Sequence, residues 1–280
     1  MKKIFFSKLN GAGNDFILLD ERLNGKMEIN PEIISKLCQR RTSIGADGIL
    51  LISDIDGYDF ELKYFNADGY EGSLCGNGSR CAIHYANTTN RVKNNKTKFI
   101  CKDTEYSGEI ISTELIQFNL NEPKEIKLNF NLEIENKKIV GNFIDNGSPH
   151  LVINYEDLKK MRSEIDNFDQ FSVVELGKKF RYADYFKPSG TNVNFIKLED
   201  NKVLIRTYER GVEDETYACG TGSVASAMIS FLNSNSKPPI KVCTKNKNEL
   251  IVDFKYINNE FADISLTGPA KIDFEGHIII

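Results

Sequence analysis

Two stretches of this chain decide how it is read. The first runs Tyr64-Phe65-Asn66-Ala67-Asp68-Gly69-Tyr70-Glu71-Gly72-Ser73-Leu74-Cys75-Gly76-Asn77-Gly78-Ser79. The second runs Tyr208-Glu209-Arg210-Gly211-Val212-Glu213-Asp214-Glu215-Thr216-Tyr217-Ala218-Cys219-Gly220-Thr221-Gly222-Ser223. With the cysteines in register the offset is 144 residues, about half of the 280-residue chain. Tyr64 and Tyr208 then fall eleven residues before their cysteine, and Glu71 and Glu215 four before it. Cys-Gly-x-Gly-Ser recurs, and an apolar run at helical spacing follows both copies. Several coincidences in register indicate a duplicated domain whose unit is strand, loop, Cys-Gly-x-Gly-Ser, helix.

The unit has a chemical consequence. Gly76 and Gly78, like Gly220 and Gly222, let the backbone turn tightly and approach a ligand without a Cβ in the way. A helix begun by Ser79 or Ser223 points unpaired N–H groups at the loop, attracts a carboxylate and favours thiolate over thiol. Neither copy ends in the Gly-Lys-Ser/Thr of a phosphate loop, and Gly11-Ala12-Gly13-Asn14-Asp15-Phe16 lacks the third glycine of a dinucleotide fingerprint. A cysteine hydrolase pairs one thiol with a histidine, but no histidine is duplicated here. Redox pairs usually stand as C-x-x-C, which is absent. Two near-equivalent acid/base groups suit inversion of a stereocentre, one removing a proton from one face and the other delivering one to the opposite face. Such sulfurs would lie about 6–7 Å apart across the reacting carbon. The α-hydrogen of an amino acid is so weak an acid that fixed donors must also stabilise the carbanion. No lysine is framed as an imine-former near either loop, so the expected chemistry uses no pyridoxal phosphate.

The rest of the chain bounds this reading. With 36 basic and 40 acidic residues the net charge is −4, which argues against a nucleic-acid surface. No apolar run reaches the roughly 18 residues of a membrane span. The start, Met1–Lys8, lacks a signal-peptide core and reads as the first strand of a cytoplasmic protein. Cys38, Cys81, Cys101 and Cys243 read as inert core thiols, and the three scattered histidines offer no zinc site. Strands are predicted at Lys3–Leu9, Phe16–Asp20, Gly48–Ser53, Phe60–Phe65, Phe99–Cys101, Gly108–Ile111, Ile116–Leu120, Leu151–Asn154, Asn194–Leu198, Val203–Tyr208, Ile240–Thr244, Leu250–Phe254 and Ala262–Leu266. Helices are predicted at Pro31–Arg41 (with Asn30 as cap), Ser79–Ala86 and Ser223–Leu232. Asn87–Lys98, Asn121–Lys138 and Lys245–Asn248 read as solvated loops or edges. The class is mixed α/β, strand-rich, with few helices.

At this point the chain resembles the diaminopimelate epimerase family over nearly its whole length. The resemblance rests on Gly11–Phe16, Gly45-Ala46-Asp47-Gly48, Phe65–Gly69, Cys75–Gly78, Gly147-Ser148-Pro149-His150, Tyr208–Gly211 and Ala218–Gly222. It implies two pseudo-symmetric domains, each a mostly antiparallel mixed sheet wrapped round a central helix, with the active site in the cleft between them. The expected boundaries are 1–122 plus 266–280 and 123–265. It implies Cys75 and Cys219 as the acid/base pair acting on LL- and meso-2,6-diaminopimelate, with no cofactor and no metal. It implies Asn14, Asn66, Asn77 and Asn192 as substrate-contacting asparagines, with the nearby Asn194 as the alternative match to Asn192, Glu209 and Arg210 as a binding pair for ammonium and carboxylate, and Gly76, Gly220 and Thr221 as backbone donors. His150 matches a histidine beside the site, and the family suggests a homodimer. Two departures bear on the substrate's distal end: Ser148 where many members have Asn, and Gly48 where some have Gln. Bland alternatives are that Asn14 and Asn66 only shape loops, that His150 is a core histidine, and that Glu209–Arg210 is a surface ion pair. Asp15, Asp47 and Asp68 read as loop-fixing carboxylates. The rival functions are a cofactor-independent racemase of another amino acid (proline-type or histidine) and a non-catalytic thiol or binding relative.

Overall fold

The computed structural model describes residues 3–72, 74–199, 202–234 and 236–279. Met1 and Lys2 of the predicted N-terminal reading and Ser73 of the first repeat lie outside the described residues. The chain divides into two compact units, Met1–Leu120 with Ser265–Ile280, and Asn121–Ile264. The fold is mixed α/β and sheet-dominated.

In the first unit, Lys271–Ile279 pairs antiparallel with Lys3–Gly11, which pairs antiparallel with Asn14–Asp20. Asn14–Asp20 then runs parallel to Gly48–Ser53, which is antiparallel to Phe60–Asn66. Phe60–Asn66 runs parallel to Lys96–Cys101, and that strand is antiparallel to Thr104–Ile110. In the second unit the same order of pairings recurs. Glu125–Ile134, Lys137–Asp145 and Pro149–Asn154 are antiparallel neighbours. Pro149–Asn154 runs parallel to Asn192–Glu199, which is antiparallel to Lys202–Glu209. Lys202–Glu209 runs parallel to Ile240–Cys243, itself antiparallel to Glu249–Ile257. The duplication read from two cysteines therefore extends to the backbone pairing of both halves. Even the return stretch before each cysteine matches, for Glu71 bridges Phe65 and Glu215 pairs with Tyr208.

Each crossover between the second pair of parallel strands carries the central helix, Gly76–Thr88 in one unit and Gly220–Asn233 in the other. Each helix touches strands throughout its own sheet, so the sheet wraps it. A wrapped helix must be apolar or small all round. Cys81, Ala82, Ile83 and Ala86 meet that demand in the first helix, and Val224, Ala225, Ala227, Met228 and Ile229 in the second. Outside the wrapped helices, apolar clusters form around Ile17, Leu19, Ile34, Leu37 and Ile49 in one unit and around Leu151, Leu158, Phe180 and Phe195 in the other.

Several expectations need correction. The central helices begin three residues before Ser79 and Ser223, because Cys75 and Cys219 occupy the cap positions. The Pro31 helix stops at Cys38, although Asn30 does cap it by accepting from the Ile33 N–H at 2.9 Å. Asn121–Lys138 holds a ten-residue strand, Glu125–Ile134, rather than loop alone; Leu132 and Ile134 point inward while its exposed residues read as solvated. Asn87–Lys98 likewise contains the start of Lys96–Cys101. Strands Lys137–Asp145 and Lys271–Ile279 and helices Tyr155–Met161 and Val173–Arg181 were not anticipated.

Candidate active site

In the first unit Cys75 is the N-cap of its helix, with extended backbone (φ −108°, ψ 113°), and its Sγ accepts from the Gly78 N–H at 3.4 Å. The thiol is half-buried and unbridged. A Cβ on Gly78 would come within 3.4 Å of Cys75 Cβ and 3.0 Å of Leu50, so this glycine serves close approach rather than a left-handed turn. Asn77 is fully buried, and its Nδ2 donates to Asn14 Oδ1. Asn14 Nδ2 donates in turn to Asp47 Oδ2 at 3.1 Å. Arg80 Nη2 donates to Asn77 Oδ1 at 2.8 Å. A polar chain Asp47–Asn14–Asn77–Arg80 thus fixes the first helical turn beside Cys75. Burial and the neighbouring Asp15 carboxylate push the Asp47 carboxyl up. Burial acts the same way on Asp15, but hydrogen bonds from Arg40 and Lys8 outweigh it and bring that carboxyl down. Asp68 accepts from the Tyr70 N–H at 2.9 Å, the turn-fixing role expected of it. Asn66 ends its strand, and its Nδ2 lies 3.1 Å from where a Cβ on Gly72 would fall, three residues before Cys75.

In the second unit Cys219 caps its helix with almost the same backbone angles, φ −121° and ψ 113°. Its Sγ lies 3.7 Å from Thr221 Oγ1. His150 is fully buried; its Nε2 is 2.9 Å from Thr221 Oγ1 and its Nδ1 is 3.2 Å from Asn194 Nδ2. An amide nitrogen only donates, so Nδ1 accepts and the proton sits on Nε2. His150 therefore donates to Thr221, and between Thr221 Oγ1 and Cys219 Sγ either the hydroxyl or the thiol can be the donor. Burial, aided by the Arg210 charge, pushes the imidazole down to about 3 and keeps it neutral. The two units solve one problem with different groups: the second helical residue is gripped by Asn14 in one (through Asn77) and by His150 in the other (through Thr221).

Asn192 spans two backbones, donating to Pro149 O at 2.9 Å and accepting from the Arg210 N–H at 2.8 Å. Glu209 accepts from Thr216 Oγ1 at 2.8 Å. The alternative of a Glu209–Arg210 surface ion pair is not what the structure has. Arg210 is half-buried, and burial, then the Arg181 charge, lower its pKa. Among the described residues its guanidinium forms no ion pair, which leaves it suited to a ligand carboxylate. Ser148 is buried in the turn before Pro149. At Gly48 a Cβ would fall 2.5 Å from Phe65 O and 2.7 Å from the Tyr64 ring, so a longer residue there would need both to shift. Gly76 and Gly220 open their helices and Thr221 follows, which sets their N–H groups in the first turn, where no helical carbonyl precedes them.

Sequence reasoning missed two polar contributors, Asn146 and Arg80, and left Asn194 only as a competitor of Asn192. Asn194 is buried, donates to Leu151 O and accepts from Thr207 Oγ1 at 3.0 Å. Asn146 Nδ2 donates to Thr221 O at 2.9 Å. Arg80, on the first central helix, is fully buried. Gly222 faces Asn194, and a Cβ there would meet Asn194 Oδ1 at 2.5 Å. Among the described residues no group of three or more His, Cys, Asp or Glu could hold a metal ion, and no helix is long and apolar enough to cross a membrane.

Each unit is thus a sheet wrapped round a cysteine-capped helix, and solved structures share this fold. One is a PhzF-family phenazine biosynthesis protein from Bacillus anthracis, with TM-score 0.70, 15% identity and all of both chains covered. Another is a probable proline racemase from Agrobacterium radiobacter K84, with TM-score 0.71, 12% identity, and 99% of this chain and 93% of that one covered. The sequence narrows the class further. The diaminopimelate epimerase family profile matches residues 6–113 and 142–272. Relatives named diaminopimelate epimerase include one from Flavobacterium psychrophilum, 36% identical over 96% of this chain and 97% of its own length, and one from Aquifex aeolicus, 35% identical over 98% and 97%. The chain belongs to the diaminopimelate epimerase family and is an isomerase of the epimerase class.

Proposed function

We propose that this chain interconverts LL- and meso-2,6-diaminopimelate, with Cys75 and Cys219 exchanging the α-proton. One sulfur, as thiolate, takes the α-hydrogen as a proton and leaves its electron pair on the α-carbon. The other, as thiol, delivers its proton to the opposite face. The thiol and thiolate states swap, and proton exchange with solvent resets them. The carbanion's charge spreads into the α-carboxylate, which the first-turn N–H groups of the two central helices would receive. Gly76, Asn77, Gly220 and Thr221 supply that first turn, and Asn14 and Asn66 frame the first unit's share of the substrate. Glu209 suits the ammonium and Arg210 the carboxylate at a second zwitterionic end, which a simple amino acid lacks. Asn192 holds the Arg210 backbone, and His150 supports the Thr221 side of the second thiol.

The observation that carries this reading is the pair of cysteine caps with matching backbone angles at the heads of two wrapped helices. We also take the working form to be a cytoplasmic homodimer, to be checked by light scattering after gel filtration. The activity test is incubation with LL-diaminopimelate and, separately, with proline and histidine, each followed by chiral chromatography. Conversion of diaminopimelate alone supports the reading. Racemisation of proline or histidine without turnover of diaminopimelate assigns the machinery to another amino acid, and inertness toward all three leaves only a binding role.

A further inference from the structure

The two cysteine caps differ in one charged neighbour. Arg80 follows Cys75 by five residues on the Gly76–Thr88 helix and is fully buried. Its position in the repeat is filled by Val224 in the second unit, also fully buried. The wrapped helix therefore tolerates a plain apolar residue at this place, and the fold alone does not call for a guanidinium. Burying one is costly unless a partner compensates. Among the described residues Arg80 forms no ion pair with a carboxylate. It donates Nη2 to Asn77 Oδ1 at 2.8 Å and Nη1 to Gly76 O at 3.4 Å, both in the turn that Cys75 caps, while its Nε has no partner. The groups whose negative form would offset its burial are the thiols of Cys81 and Cys75.

We propose that Arg80 is a positioning residue that fixes the first turn through Asn77 and Gly76 and holds Cys75 as the resting thiolate, while the matching place on the Cys219 helix holds the uncharged Val224. This deepens the two-cysteine reading and rests on it. It makes the two halves of a near-symmetric device electrostatically unequal before substrate arrives. The other titratable groups around this turn do not supply the charge. Cys81, on the same helix, is pushed well up by burial. His84 is driven down by burial and faces Glu114. Asp47 stands behind Asn14, and Asp273 acts on Cys81. Burial lowers Arg80 itself to about 10, so it stays a cation at neutral pH.

The test is a thiolate titration at 240 nm in substrate-free Cys219→Ser protein between pH 5 and 9.5. Burial pushes Cys38 up to about 12 and Cys101 up to about 11, and Cys81 is raised as well; with the partly exposed Cys243 also replaced by Ser, Cys75 is the thiol left to titrate in this window. The expected inflection lies below the ordinary free-thiol value of about 8.5. Arg80→Met should move it up by about one unit, a tenfold loss of thiolate below the inflection, and Arg80→Lys should recover most of that loss. An inflection at or above about 8.5 with Arg80 in place overturns the proposal without any Arg80 variant. So does a folded Arg80→Met protein whose inflection is unchanged. If instead Cys75→Ser still epimerises, the two-cysteine reading has failed, a result the titration does not depend on.

Discussion

His150 gives the sharpest quantitative prediction. Its imidazole is fully buried between Asn194 and Thr221 and is held down to about 3. In the unfolded chain it titrates near 6.5. Between these values the unfolded state binds a proton that the folded state refuses, so stability rises with pH across this window. The contribution is fully present above pH 6.5 and is lost progressively as pH falls toward 3. Each pH unit well inside the window costs about 1.4 kcal/mol, so lowering the pH from 7 to 5 should cost about 2 kcal/mol through this residue alone. The comparison is with His150→Gln, whose amide can still donate to Thr221 but does not titrate. Urea midpoints of both proteins at pH 7, 6 and 5 should show the wild type losing about 2 kcal/mol more than the variant. Parallel curves would mean that His150 protonates normally in the folded protein, and the neutral donor assigned beside Cys219 would be wrong.

Other outcomes follow from the same geometry. Gly222→Ala brings a Cβ to 2.5 Å from Asn194 Oδ1 and 3.2 Å from Cys219 Sγ, and should cost about 1–3 kcal/mol of stability with a larger loss of kcat; unchanged turnover in steady-state assays would contradict the network. Arg210→Lys should raise KM for diaminopimelate about tenfold or more with little change in Tm, because an ammonium cannot offer the planar fork; an unchanged KM removes Arg210 from the binding site. Arg91 and Asp20 form a buried ion pair at 2.6 Å away from the cysteine cap. Arg91→Met should cost about 3–5 kcal/mol in urea unfolding while leaving kcat of the surviving folded protein near wild type.

The chemistry was legible because it is written in glycine and cysteine, whose positions are hard to explain otherwise. Gly222 leaves room for Asn194 and Cys219, which a Cβ would meet at 2.5 and 3.2 Å, and Gly78 leaves room for Leu50 at 3.0 Å. The duplication was visible for the same reason. The helix starts were misplaced because serine is the better intrinsic cap, while tertiary context sets a thiol there. The polar strand Glu125–Ile134 was hidden by its exposed side chains, and Lys271–Ile279 by exposure on most of its length. The helix Val173–Arg181 did carry a signal, Ser172 three residues before Glu175 and an apolar stripe at Val173, Leu176 and Phe180, masked by its charged face. Arg80 and Asn146 could not be read at all, since a polar residue's burial depends on which strands surround it.

The central claim is that each face of one carbon is served by one thiol. The most direct measurement is deuterium incorporation from D2O into LL-diaminopimelate by wild type, Cys75→Ala and Cys219→Ala. Wild type should yield meso product carrying deuterium at the inverted carbon, while neither variant should yield meso product. Meso product formed at the wild-type rate by either alanine variant would contradict the account.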